Sequence, residues 1–152
     1  MMRHTSSATA LLVSVAIAAT LTGCTSLSAS LTGSTTSPPI SDACAPALAA
    51  KASVTEAATT FNNALASGDT ATAATAVSEA SLAGATLTGL VADPTASYAA
   101  TTIWISAEAV TAWVDLAQRH LDDDPRVTIE TLLAEHSTLR ERLSGIDDAC
   151  NT

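Results

Sequence analysis

Three short turn signals constrain this chain more than any other feature of its sequence. "SGDT" at 67–70 pairs a helix-stopping Gly68 with a capping Asp69. "DPTA" at 93–96 and "DPRV" at 124–127 each put Asp where a helix N-cap is expected and Pro at the first helical position. The N–H that Pro lacks has no intrahelical partner there, so its absence costs nothing. Together the signals cut everything from Asp42 onward into four segments of similar length, each over 20 residues. As helices they would each run roughly 30–40 Å.

Within each segment the apolar residues recur with a helical period. Segment one carries Cys44, Ala47, Val54, Ala58, Phe61 and Leu65 in a register of threes and fours, interrupted by Lys51. Segment two carries Val77, Ala80, Gly84, Leu87 and Val91 among many threonines; segment three carries Ile103, Ala107, Val110, Val114, Ala117 and Leu121. Segment four is the cleanest, with Ile129, Leu132, His136, Leu139, Leu143, Ile146 and Cys150. Matched helices with one apolar stripe each and short connections predict an all-α fold, an antiparallel up-down-up-down four-helix bundle over 42–152. The first three stripes are rich in Ala, which buries far less surface than Leu, so this core needs reinforcement.

The N-terminus reads as an address. Arg3 and His4 precede the charge-free run "ATALLVSVAIAATLTG", which is the layout of a secretory signal peptide. The run is short of the ~20 residues that span a bilayer as a helix. It ends in Leu21-Thr22-Gly23-Cys24, which resembles the lipobox of bacterial lipoproteins: an aliphatic residue, a small one, Gly or Ala, then Cys. The resemblance implies that residues 1–23 are removed and that the Cys24 thiol carries a diacylglyceryl group. Palmitate-like chains at Cys24 would then hold the protein at the extracytoplasmic face of a bacterial membrane. Residues 25–41 contain ten Ser or Thr, two Pro and no charge, the composition of a tether from Cys24 to the folded domain. Ser/Thr-rich tethers with Pro are also a setting for O-linked sugars.

With Cys24 assigned to lipid, Cys44 and Cys150 remain as an even pair outside the cytoplasm, where disulfides persist. In an up-down-up-down bundle the start of the first helix and the end of the last lie at the same end. A Cys44–Cys150 disulfide would therefore close the domain.

The motifs of bundle chemistry are missing. There is no Glu-x-x-His pair for a di-iron site, no Cys-x-x-Cys-His for haem, and no phosphate loop or nucleophile elbow. His120 and His136 would stand about 13 Å apart along the bundle, too far to share a metal. "HLDDDP" at 120–125 reads as a solvated turn with Asp124 as N-cap, ahead of a cation site. The sequence thus predicts no cofactor, no metal and no enzymatic activity. Without Arg3 the chain has 15 acidic residues against five basic ones, a net of −10 with His neutral. Such a surface argues against nucleic acid and against close contact with anionic lipid headgroups.

Two features stand out as candidate sites. His136 lies in the core stripe of segment four; it is expected as a buried polar group bonded to a neighbouring hydroxyl, with a ligand or switch role as the alternative. Segment three is apolar around most of its girth. Trp104 and Trp113 flank its stripe at about +100° and −80°, and Tyr98, Ile105, Ala109, Ala112 and Leu116 occupy its back. Close-packed Ala-rich neighbours are expected to cover both indoles. The alternative is a surface of Tyr98, Trp104, Trp113, Ile105 and Leu116 for a partner, a second copy or an apolar ligand. The expected function is a lipid-anchored protein-interaction module of the cell envelope, ahead of a carrier of small apolar ligands.

Overall fold

The computed structural model describes residues 40–151. The signal segment, Cys24 and the tether up to Pro39 lie outside the described residues. Four helices follow in order: α1 (Ile40–Ser67), α2 (Thr70–Gly89), α3 (Tyr98–Leu121) and α4 (Ile129–Cys150). No strand occurs among the described residues. Each helix packs on the next, α4 returns to α1, and α2 and α4 stand across a diagonal without contact. This is the up-down-up-down four-helix bundle expected from the sequence.

The first turn forms as its residues predict. Gly68 adopts φ +74°, the left-handed conformation that ends a helix most cheaply in glycine. Asp69 then caps α2, its carboxylate accepting from the Thr72 amide at 3.0 Å and the Thr72 hydroxyl at 2.6 Å.

The other two turns correct the expectation. Asp93 and Asp124 are not N-caps. Each carboxylate instead accepts from the amide two residues on, Thr95 at 2.8 Å and Arg126 at 3.0 Å. An Asp followed by Pro closes a local turn in this way, because Pro is preset for the next turn position. The helix begins four residues later, capped by a hydroxyl. Ser97 accepts from the Ala100 amide at 3.0 Å and Thr128 from the Thr131 amide at 3.2 Å.

The predicted stripes make the core, with Phe61, Leu87, Ile103, Val110, Leu139 and Ile146 among its fully buried members. Small residues set how closely the helices approach. A Cβ on Gly84 would lie 2.8 Å from Val110 Cγ1, which fixes the α2–α3 crossing. A Cβ on Gly145 would lie 3.1 Å from Thr102 Cγ2, at the α3–α4 crossing. Beside that crossing sits Ser106, fully buried, its hydroxyl 2.9 Å from the carbonyls of both Thr102 and Arg142.

The α1–α4 seam is closed differently. A disulfide joins Cys44 to Cys150 with Cα atoms 5.5 Å apart. Lys51, the interruption in the first stripe, turns its ammonium to Asp147 of α4 as an ion pair. Ile129, placed in the core stripe by its spacing, is instead 52% exposed.

Candidate interaction surface

The two tryptophans of α3 meet opposite fates, and the helices beside them explain why. Trp113 shares a flank with Ser106, seven residues earlier, and that flank faces α4. Its indole is 1% exposed and meets the Phe61 ring of α1 edge-on, centroids 5.3 Å apart and planes at 79°. This is a favourable aromatic arrangement and a large share of an otherwise Ala-rich core. Trp113 is thus covered, as expected, and leaves the alternative surface set of Tyr98, Trp104, Trp113, Ile105 and Leu116.

Trp104 shares its flank with Thr111, which borders α2. The large α2 side chains at this level, Leu87 and Leu90, pack into or against the core and leave the indole uncovered. Trp104 stays 40% exposed, against the expectation that both indoles would be covered. Tyr98, at 68% exposure, belongs to another side of α3. It lines a small groove with Ile105, Arg142 and Gly145 between α3 and α4. Leu116 is half-buried against the core. The five residues grouped by sequence are thus divided among the core, the α2 side and the α4 side.

A larger groove, about 580 Å³ and open to solvent, follows the α2–α3 seam. Val77, Ser81 and Leu82 line it from α2, and Thr111, Val114 and Gln118 from α3. Leu82 is 72% exposed and also borders the groove between α1 and α2. The Gly84–Val110 crossing fixes the register of these helices, which puts Leu82 and Trp104 about 12 Å apart along the seam. Leu82 was absent from the sequence reading. Its signal was a lone Leu off the Val77–Ala80–Gly84–Leu87 stripe. Ser106 gave no such signal, being one more small residue in an Ala-rich segment.

His136 is half-buried rather than enclosed, and no hydroxyl of the described residues bonds its ring. Burial, with the Arg140 charge one turn on, holds its imidazole below the ordinary histidine value. Asp124 gathers Arg126 and Arg119, each at 3.0 Å, and the Arg126 hydrogen bonds hold its carboxyl far below the usual carboxylate range. Asp124 thus ties the turn to the end of α3. His120 belongs to the same turn, a ring nitrogen 3.4 Å from the Val127 carbonyl. Among the described residues no three His, Cys, Asp or Glu side chains are grouped to hold a metal ion. No described helix is long and apolar enough to cross a membrane.

Compared with protein-family models, with curated proteins and with solved structures, the chain matches none.

Proposed function

We propose that this protein is a lipid-anchored, extracytoplasmic, non-enzymatic module that presents its α2–α3 face to another protein of the cell envelope. One observation carries the docking part of this reading: Leu82 stands exposed on the rim of an open groove along the α2–α3 seam, and Trp104 stands exposed further along α3. A large aromatic and a large aliphatic side chain exposed on one face are the kind of anchors that interfaces use. The anchor rests on the Leu21–Cys24 pattern and on the uncharged Ser/Thr-rich stretch that follows it. A carrier of apolar ligands is less well supported, because Phe61 occupies the space beside Trp113.

Native mass spectrometry of the full-length protein, gently extracted from its own membrane, tests the reading. The expected result is a co-purifying protein that is lost with Trp104→Ala or Leu82→Ala while the fold is retained. A retained mass of a few hundred daltons beyond the lipid would instead establish the carrier. In parallel, Cys24→Ser should move the protein from the membrane fraction to the soluble one. Unchanged membrane association would refute lipidation at Cys24.

A further inference from the structure

Ile129, Leu133, His136, Arg140 and Asp147 recur on α4 at spacings of four, three, four and seven, so they share one flank. At the disulfide end this flank reaches α1: Asp147 pairs with Lys51, and Cys150, one turn on, with Cys44. Toward the other end α1 does not cover it. α1 meets α4 over much less surface than it meets α2. Ile129 is 52% and Leu133 56% exposed, on successive turns, with the half-buried His136 beside them.

Two charges bracket this apolar strip. Glu130 stands at its start and Arg140 ten residues later, both exposed and neither in an ion pair with any described residue. That spacing carries information about what covers the strip. From these observations we infer that the occupant is a second copy of this chain, its α4 antiparallel to the first about a twofold axis. Placing Leu133 opposite the exposed Ser137 of the second copy brings Glu130 opposite Arg140. The symmetry then repeats the same pair on the other side. Large meets small at the centre, and two ion pairs close the ends. A parallel arrangement would set Arg140 against Arg140 and Glu130 against Glu130, which charge repulsion disfavours. The buried patch is small, so the association belongs with weak, reversible interfaces. It lies across the bundle from the α2–α3 groove and does not depend on the function proposed there.

Sedimentation of the full mature chain carrying Cys24→Ser, disulfide intact, tests the inference without lipid or detergent. A concentration-dependent dimer is expected. Leu133→Glu should leave a monomer of unchanged helicity. Arg140→Glu should weaken dimerisation about tenfold or more, and adding Glu130→Arg should restore most of the loss. Trp104→Ala should leave the dimer intact, which separates this surface from the envelope-partner face. A chain that stays monomeric up to its solubility limit would overturn the inference. So would a dimer indifferent to Leu133→Glu, or a charge reversal that recovers nothing.

Discussion

Two glycines five residues apart on α2 sit in opposite surroundings. Gly84 faces Val110, whose branched side chain is stiff at χ1 and lies 2.8 Å from where a Cβ would be. Gly89 has nothing within 4 Å of that position. Gly84→Ala should therefore destabilise the bundle, since overpacking costs ~1–3 kcal/mol against a helix-propensity gain of at most ~1 kcal/mol. Gly89→Ala should stabilise it by ~0.4–1 kcal/mol. Urea midpoints of the two variants check both signs. His136 makes a separate prediction. Its folded-state pKa is depressed, so the unfolded chain binds the proton first as pH falls below ~6.5. Stability should decline from there until the folded-state pKa is passed, and His136 should have little effect at higher pH. An imidazole titration followed by NMR should show its inflection below ~6.5; an inflection at or above that value would contradict the half-buried placement.

At the scale of elements, the caps divide the labour within each Asp-Pro turn. Ser97→Ala and Thr128→Ala should each cost about 1 kcal/mol in thermal or denaturant unfolding, because each orphans a first-turn amide. Asp93→Ala should cost less, since its carboxylate closes an exposed turn and caps no helix. The sequence made the helices legible because each segment carries a stripe of regular helical period, and such stripes are buried by packing against one another. The helix starts were misplaced by four residues because an Asp that bonds two residues ahead looks, in sequence, like one that caps. Ile129 was misread for a different reason. Ile129 lies on a flank of α4 that α1 leaves uncovered at that end, although α1 is the longer helix, and periodicity does not report how closely a neighbour packs. The fate of the two tryptophans was equally hidden. Their angles followed from spacing, but burial depended on the neighbours: Phe61 meets Trp113, while the large α2 side chains level with Trp104 turn into the core.

For the whole molecule, closure rests on one covalent link between positions 106 residues apart. By the chain-entropy argument such a link contributes up to ~4–5 kcal/mol. In a domain whose buried residues are so often Ala, that is a large share of total stability. The double variant Cys44→Ser, Cys150→Ser should lose stability of about that size in denaturant unfolding, while remaining helical under mild conditions. A loss much below 1 kcal/mol would mean that the α1–α4 seam holds by packing and the Lys51–Asp147 pair alone. The phase of the two cysteines made this closure legible in the sequence. Nothing in the sequence announced which faces the closed bundle would leave bare, because bare faces are set by how closely neighbouring helices approach.

The disulfide also decides how the domain bears a pull. Load arriving through the residues ahead of Ile40 reaches Cys44 within little more than one helical turn and is shared at once with the end of α4. α1 cannot then be peeled away one turn at a time from its N-terminal end. Both helices must be dragged together past α2 and α3, a shearing of many contacts at once instead of an unzipping of a few. Were the domain held from that side, as the proposed anchor requires, it would be reinforced at the point of attachment.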